Sequence, residues 1–265
     1  MRPVGHHRTP AGRVGAVARG VALVVAAALF LLPFAVLVRD SWSALPEVFS
    51  GTEVPFARSL LNSTAVAVLQ TAGQLLLCSL AGYGLARIPY RHAPAVLYAT
   101  VATLVVPAAV TFVPGFVVVS SLGWLSDLRG LVVPGLFSAL NVFLFRQYFL
   151  DFPVALEEAG RLDGLSRLGV FRRVVVPNST GFFAAVAVVD LIGSWNQFLW
   201  PLVVAQDSTT WTVQVALSGL LTAQNPRTTL LFASAAVSIL PIVLVFAVLQ
   251  RHLVRGVTGT GLTGR

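Results

Sequence analysis

Residues 157–177 read EEAGRLDGLSRLGVFRRVVVP and form a charged island between two long apolar blocks. The block before the island covers about residues 130–150, and the block after it covers about residues 180–205. Unpaired charged side chains are costly inside a bilayer. The island is therefore predicted to lie in water, between two segments that cross a membrane.

The composition of the whole chain is typical of a membrane protein. Hydrophobic residues make up 56% of the 265 residues and charged residues only 11%, against about 25% charged residues in soluble domains. The mean hydropathy is +0.83. A bilayer core of roughly 30 Å needs about 20 apolar helical residues, with every backbone group paired internally. The sequence therefore predicts an all-α membrane protein.

Six apolar blocks are long enough to span a bilayer. They cover about residues 20–38, 62–86, 95–119, 130–150, 180–205 and 229–250. We expect Pro107 and Pro114 in the third block to kink its helix without breaking it. The block 20–38 is longer than the apolar core of a secretory signal, which has about 7–15 residues. Residues 20–265 are predicted as one six-helix domain after a cytoplasmic tail over residues 1–19.

The arginines are distributed unevenly between the predicted loops. If the N-terminus is cytoplasmic, only Arg39, Arg58, Arg129 and Arg227 of the 18 basic residues lie outside. Short cytoplasmic loops are enriched in positive side chains, so we expect both termini on the cytoplasmic side of a bacterial-type plasma membrane. The same bias accounts for the net charge of +8 without binding to nucleic acid.

Several kinds of site are excluded by missing residues. All 18 basic residues are arginine, so the lysine of a P-loop is absent and this chain cannot hydrolyse ATP by that device. Cys78 is the only cysteine, and no helical HxxxH pair occurs, which argues against metal and cluster sites. No GxSxG nucleophile motif is present. We therefore expect a non-enzymatic chain without catalytic residues, metal ligands or a cofactor.

Local signals in the island predict two short helices that meet at a glycine. Pro153 suits the first turn of a helix and Gly164 suits a left-handed stop, which gives about ten residues. Ser166 can cap a second helix from Arg167 to about Val175. Helices shorter than about 12–15 residues are marginal in water and need a surface to pack on. A partner could supply that surface, or the island could be a solvated loop whose arginines only set the topology.

The island resembles the cytoplasmic signature of ABC-transporter permeases, which is EAA followed by three residues and G. In the carbohydrate-import branch the signature usually reads EEAAxxDGA; here residues 157–165 read EEAGRLDGL, with Gly160 and Leu165 in place of alanine. Five further stretches resemble the family in the same order: RSLLNST at 58–64, AGYGLARIPYR at 81–91, FLFRQYF at 143–149, GSWNQFLWPLVV at 193–204 and QRHLVRGVTG at 250–259. The chain is similar to the shorter, maltose-type second permease of such importers.

This resemblance implies a type I ABC importer permease fold, with six helices and a cytoplasmic coupling helix between helices 4 and 5. A second permease, two ATP-binding subunits and an external solute-binding protein would complete the importer. The complex would lie in membrane lipid and import a carbohydrate. ATP and Mg²⁺ would be held by the ATP-binding subunits. The coupling loop is defined here as residues 151–178. The residues with an implied ATPase-coupling role are Glu157, Glu158, Ala159, Gly160, Arg161, Asp163 and Gly164.

Asp190 lies within the fifth apolar block and is not part of the family motif. A carboxylate at mid-helix costs about 2.5–3.5 kcal/mol on insertion scales unless it finds a partner or water. We expect Asp190 to line a cavity or to hydrogen-bond between helices, with a proton relay as the other option. Trp195, Asn196 and Gln197 follow closely and suit a sugar's ring face and hydroxyls, although packing against the partner permease is an equal interpretation. These four residues are the predicted translocation pathway.

Two functions of different classes follow. The first is the permease subunit of an ATP-driven carbohydrate importer, forming half of the translocation pathway and coupled to a separate ATPase. The alternative is a secondary transporter or channel with Asp190 as its functional acid. That alternative calls for paired intramembrane charges or an inverted repeat, and the sequence shows one intramembrane acid and no obvious repeat.

Overall fold

The computed structural model describes residues 10–50, 54–222 and 228–258, and every regular element in these ranges is a helix. The N-terminal part contains α1 (Pro10–Ser41), α2 (Leu45–Ser50), α3 (Phe56–Arg87), α4 (Ala93–Ala102), α5 (Ala108–Ser121), α6 (Leu128–Val132) and α7 (Ala139–Leu150). The C-terminal part contains α8 (Val154–Leu162), α9 (Arg167–Val170), α10 (Val176–Asn178), α11 (Thr180–Trp195), α12 (Leu199–Val204), α13 (Val213–Thr222) and α14 (Thr228–Thr258). Residues 1–9 of the predicted tail, Arg227 and residues 259–265 lie outside the described residues.

Two helices are long and apolar enough to cross a membrane unbroken, Phe56–Arg87 and Thr228–Val248. Three further spans pass the same test only if a bent pair of helices counts as one span. The pairs are Ala93–Val105 with Ala108–Ser121, Leu128–Gly135 with Ala139–Leu150, and Arg167–Asn178 with Thr180–Trp195, bent by 99°, 41° and 81°. The described residues therefore form an all-helical membrane protein with two to five candidate spans.

The predicted first span, residues 20–38, lies within α1. Within it, Arg19–Leu32 forms an apolar segment that is shorter than a span. The described side chains of this segment are exposed, among them Leu23, Leu29 and Phe30, as expected for a surface that faces lipid. The count of six spans stays a prediction.

The third predicted span was expected to be kinked without a break. That expectation was wrong, because the structure breaks the helix there. The helical path ends at Val105, Val106 adopts extended torsion angles, and α5 begins after Pro107. Proline has no N–H to donate and disfavours helical torsion angles in the residue before it, so the chain turns by 99° here. Pro114 lies inside α5 and does not interrupt it.

Two other predicted spans are also divided. The range 130–150 contains the end of α6, a 3₁₀ turn over Val133–Gly135, and α7. The range 180–205 contains α11, a non-helical stretch over residues 196–198, and α12. Breaks at membrane depth are tolerated only where protein or a water-filled cavity surrounds them. These breaks are therefore expected to face the interior of the bundle.

The unbroken helix α3 lies at the centre of the bundle and packs against α7, α11 and α13. Near its C-terminal end, Tyr83 joins a buried aromatic cluster with Phe145, Phe149 and Phe171. The Tyr83 and Phe149 rings meet edge to face with centroids 5.6 Å apart. Gly82 allows the close approach of α3 to α7, because a Cβ there would lie 2.7 Å from Phe145 Cβ and 2.8 Å from Arg146 N.

We predict that Gly82→Ala lowers the thermal unfolding midpoint of the purified permease by several degrees. The added methyl group would overpack a helix contact, which costs about 1–3 kcal/mol. Gly84→Ala is the matched control, because a Cβ at Gly84 meets nothing within 4 Å. Equal midpoints for the two variants, measured in the same detergent, would show that the α3–α7 contact does not need a glycine.

Candidate functional site

The first half of the coupling loop is a short helix that ends at a glycine corner. Helix α8 runs over Val154–Leu162, and Gly164 has a φ of +82°. Leu165 N donates to Gly160 O at 3.0 Å, and Gly164 N donates to Arg161 O at 2.9 Å. This pair of hydrogen bonds is the Schellman motif, in which a left-handed residue ends a helix. The predicted helix length and the predicted role of Gly164 as a stop are confirmed.

The second half begins with the predicted serine cap. Ser166 Oγ accepts a hydrogen bond from Gly169 N at 3.2 Å, at the start of α9. The expected helix from Arg167 to about Val175 is present, but only its first four residues are α-helical, and Phe171–Val175 form a π turn. Helical structure continues through α10 to Asn178 before the chain bends by 81° into α11.

Glu157 is buried against the C-terminal end of α3. The residue is only 2% exposed. Tyr83 Oη donates to its Oε2 at 2.9 Å, and Arg87 Nε lies 2.8 Å from its Oε1. The Arg87 guanidinium also donates to the carbonyl of Phe152, just before α8. These contacts fasten α8 to the last turns of α3.

The remaining predicted coupling residues divide between the two faces of α8. Gly160 is buried and faces the second half of the loop, where a Cβ would lie 3.2 Å from Val174 Cγ2 and 3.4 Å from Val170 Cγ2. The exposed members are Glu158, Ala159, Arg161, Asp163 and Gly164. Leu162 is 90% exposed beside them. We define the outer face of α8 as Glu158, Ala159, Arg161, Leu162 and Asp163.

Asp190 belongs to a hydrogen-bond network that joins α3, α7 and α11. Asn141 Nδ2 lies 2.9 Å from both carboxylate oxygens of Asp190 and 2.7 Å from Gln74 Oε1. Gln74 Nε2 in turn donates to Gly135 O at 2.8 Å. The carboxylate thus has an interhelical partner, which agrees with one of the two expectations for this residue.

A cavity of about 320 Å³ opens where the three broken segments meet. Ala108 contributes from the start of α5, Pro134 and Gly135 from the 3₁₀ turn, and Gln197 from the stretch between α11 and α12. The other described lining residues are Gln70, Thr111, Phe112, Gly115 and Trp200, and none of the described lining residues is charged. The Phe112 and Trp200 rings meet edge to face with centroids 5.7 Å apart.

Of the four predicted pathway residues, only Gln197 lines this cavity. Trp195 is 3% exposed and packs in a core cluster with Phe56 and Val213. Asn196 is exposed at the end of α11, where its Nδ2 donates to Ile192 O and its Oδ1 accepts from Gln214 Nε2. The structure does not bring these side chains together with Asp190 into one site.

Sequence reasoning missed the other polar and aromatic side chains of the cavity, Gln70 and Trp200 among them. Gln70 Nε2 donates to Leu131 O at 2.8 Å, and its Oε1 accepts from Ser194 Oγ at 2.6 Å and Gln197 Nε2 at 3.3 Å. Trp200 Nε1 donates to Gly130 O at 3.0 Å. Two glutamines, Gln70 and Gln74, occur four residues apart in an otherwise apolar span, and that spacing was a usable signal because polar side chains inside a membrane are costly.

The loop ends opposite the coupling loop are held by capping carboxylates. Asp127 precedes α6, and hydrogen bonds from the side chain and the backbone of Arg129 lower the pKa of its carboxyl. Hydrogen bonds from Thr209 likewise lower the pKa of Asp207. Ser126 links the two loops, since its N donates to Val204 O and its Oγ accepts from Asp207 N. In the described part of the chain, no group of three His, Cys, Asp or Glu side chains could hold a metal ion.

Comparison with known proteins gives consistent matches. The family model of the binding-protein-dependent transport system inner membrane component matches residues 10–259. The arabinooligosaccharides transport system permease protein AraQ of Bacillus subtilis (strain 168) is 30% identical over 217 residues, covering 82% of this chain and 77% of AraQ. The lactose transport system permease protein LacG of Rhizobium radiobacter is 33% identical over 212 residues, covering 80% and 77% of the two chains.

A third relative and one solved structure are also similar to this chain. The sn-glycerol-3-phosphate transport system permease protein UgpE of Shigella flexneri serotype 5b (strain 8401) is 32% identical over 237 residues, covering 88% of this chain and 84% of UgpE. A chain in the crystal structure of a bacterial ABC transporter involved in the import of the acidic polysaccharide alginate superposes with a TM-score of 0.79. It is 21% identical, and the match covers 94% of this chain and 99% of that chain; this likeness shows the fold.

These matches decide between the two predicted functions. The alternative of a secondary transporter or channel is wrong, because the family model covers nearly the whole chain. Its members are multi-pass, non-catalytic inner-membrane components of ABC importers, and ATP is hydrolysed by a separate subunit. The chain belongs to the family of binding-protein-dependent transport system inner membrane components and is the permease of an ABC importer.

Proposed function

We propose that this permease forms half of the translocation pathway of a carbohydrate importer, beside a second permease, above two ATP-binding subunits and below an external solute-binding protein. The observation that carries the proposal is the shape of the coupling loop. A helix stopped by a Schellman corner presents a compact outer face while its inner face is fixed to the bundle. Such a rigid, exposed helix suits a cleft in an ATPase.

The proposed topology has six spans. Helix α1 supplies the first span, because residues 20–38 lie in one continuous helix with an exposed apolar surface. The remaining five are α3, the bent pairs around Pro107 and Pro134, α11 together with α12, and α14. The arginine bias places both termini and the coupling loop in the cytoplasm. Ser126 and Asp207, which join the loops at the opposite end of the bundle, then lie on the external side.

In the proposed mechanism, closure of the two ATP-binding subunits moves the coupling helices together, and the membrane helices turn the pathway outward. The solute then leaves the binding protein and enters the pathway, and hydrolysis of ATP resets the permease. The outer face of α8 makes the contact with the ATPase. Its exposed charged pairs contribute little individually, about 0–1 kcal/mol, so the shape of the glycine corner and the Leu162 side chain matter more than any one carboxylate.

We narrow the translocation pathway to the cavity that contains Gln197. The Gln197 amide in this cavity can pair with hydroxyl groups, and the Phe112 and Trp200 rings offer apolar surfaces for a sugar ring. Asp190 and Trp195 are assigned instead to helix packing, because Asp190 is bonded to Asn141 and Trp195 is buried in a core cluster. Asn196 lies at a helix end, bonded to Gln214.

The relatives point to hydroxyl-rich solutes, since they are named for arabinooligosaccharides, lactose and sn-glycerol-3-phosphate. Phosphate groups in proteins are commonly bound by arginine or lysine, and the described cavity lining is uncharged. We therefore favour an uncharged carbohydrate over a sugar phosphate as the solute of this permease.

The experiment that tests the proposed function is reconstitution of the permease with its candidate partner permease, ATPase and solute-binding protein in vesicles. ATP hydrolysis is measured with a panel of neutral sugars and with sn-glycerol-3-phosphate. Stimulation by a neutral sugar supports the proposal. Stimulation by sn-glycerol-3-phosphate alone would contradict the favoured solute class, and failure to associate with any ABC ATPase would contradict the importer assignment of the complex.

We predict that Gly164→Val sharply reduces the ATPase that copurifies with the permease. An L-residue with left-handed torsion angles costs about 1–2 kcal/mol, so the population of the docking shape should fall by about tenfold. Gly123→Val is the matched control, because Gly123 also has a positive φ, +68°, with nothing within 4 Å of its Cβ position, and it lies outside the coupling loop. Equal losses in the two variants would assign the effect to general instability.

We also predict that Gln197→Leu raises the solute concentration needed for half-maximal transport by up to about tenfold. The change keeps a side chain of comparable size but removes its hydrogen bonds, each worth about 0.5–1.5 kcal/mol. The matched control is Gln214→Leu, since Gln214 bonds to Asn196 outside the cavity. An unchanged half-maximal concentration for Gln197→Leu, with normal ATPase copurification, would remove the cavity from the pathway.

A further inference from the structure

We propose that Glu157 is a positioning residue that couples the motion of α8 directly to α3, through Arg87 and Tyr83. The inference rests on the proposed function, because it concerns how the coupling helix moves the bundle. It assigns different tasks to two adjacent carboxylates. Glu158 lies on the outer face toward the ATPase, whereas Glu157 holds α8 to the membrane domain.

The Glu157 side chain is buried between α8 and α3. Glu157 is 2% exposed, so it offers almost no surface to a partner protein. Tyr83 Oη donates a hydrogen bond to one oxygen at 2.9 Å, and Arg87 Nε forms an ion pair with the other at 2.8 Å. A buried carboxylate that lost these partners would stay desolvated and uncompensated. The native arrangement therefore favours motion of Glu157, Arg87 and Tyr83 as one unit.

Arg87 contacts the chain on both sides of the first residue of α8. Its guanidinium pairs with Glu157 within α8 and donates to the carbonyl of Phe152, which lies between α7 and α8. One side chain on α3 thus fixes the direction in which α8 leaves the bundle. Toward the other end of α8, Gly160 lies close to the second half of the loop, since a Cβ there would lie 3.2 Å from Val174 Cγ2 and 3.4 Å from Val170 Cγ2.

Helix α3 is continuous between the cavity and the coupling loop. The helix is unbroken from Phe56 to Arg87, while the spans on either side of the coupling loop are bent. Tyr83 lies thirteen residues beyond Gln70, a distance of about 20 Å at 1.5 Å per residue. Gln70 lines the cavity and bonds to Gln197 and Leu131. A displacement of α8 that moves Arg87 would therefore be carried to the cavity by one rigid helix.

The test uses the complete reconstituted importer and two readouts: the ATPase that copurifies, and the ATP hydrolysed per solute transported. The variants are Glu157→Gln, Arg87→Gln, their double variant and Tyr83→Phe. Glu158→Gln, a change of the adjacent carboxylate, is the comparison for Glu157→Gln. We expect Glu157→Gln to keep the copurifying ATPase but to raise the ATP consumed per solute by about fivefold. This factor is at the lower end of the range typical of coupling between two sites. Glu158→Gln should weaken copurification with a smaller effect on that ratio.

A double-mutant cycle separates a direct link from general damage. The Glu157→Gln and Arg87→Gln double variant should be no worse coupled than the more severe single variant, whereas Glu158→Gln and Arg87→Gln should combine additively. Tyr83→Phe keeps the ring on Phe149 and Phe171 and removes only the hydroxyl, so it should fold and raise the ratio by a smaller factor.

Three outcomes decide the matter. If Glu157→Gln lowers ATPase copurification as Glu158→Gln does, with the ratio unchanged, Glu157 is an ATPase contact and the inference is wrong. If the variants only lower the yield of folded protein, with a wild-type ratio in what remains, their role is structural and the inference is equally wrong. If the wild-type complex shows no solute-stimulated ATP hydrolysis, it is the proposed function that fails, a result that the wild type alone reveals.

Discussion

A backbone carbonyl freed from its helix inside a bilayer finds no water, and the interior of this permease is organised around meeting that need. An unsatisfied group at this depth costs several kcal/mol. The carbonyls of Gly130, Leu131 and Gly135 lie at the break between α6 and α7. They accept hydrogen bonds from Trp200, Gln70 and Gln74, respectively. The cavity can exist because side chains from α3 and α12 provide the donors that a continuous helix would have provided itself.

Helix α3 contributes side chains to both candidate regions, the cavity and the coupling loop. Its middle carries the two glutamines that satisfy the broken segment, and its last turns carry Tyr83 and Arg87, which hold α8. Between them, Gly82 brings the backbones of α3 and α7 close together, and the aromatic cluster around Phe145 and Phe149 fills the space beside them. The large bends lie in other spans, and α3 runs unbroken from the cavity to the coupling loop.

The features that could be predicted from the sequence are those determined by local chemistry. The glycine stop at Gly164 and the serine cap at Ser166 each depend on a few adjacent residues, and both are present. The break at Pro107 was expected only as a kink, because whether a proline bends or ends a helix depends on what the freed backbone meets. The inward direction of Glu157 and the position of Trp195 in a core could not be deduced, since both follow from contacts with residues far away in the chain. The cavity arises from three breaks that meet in space, which no local pattern records.

The burial of the Glu157–Arg87 pair has a consequence for how the loop responds to ionic strength. Mobile ions screen exposed charges over about 8–10 Å at physiological salt but act less on a pair that is mostly buried, as this one is, with side chains 3% and 15% exposed. The charges on the outer face of α8 are exposed, whereas Glu157 is not. Concentrated salt would therefore loosen contacts at the outer face while leaving α8 fastened to α3. If the ATPase docks on the outer face as proposed, the permease keeps a preformed docking helix after the ATPase leaves, so rebinding need not order that helix again.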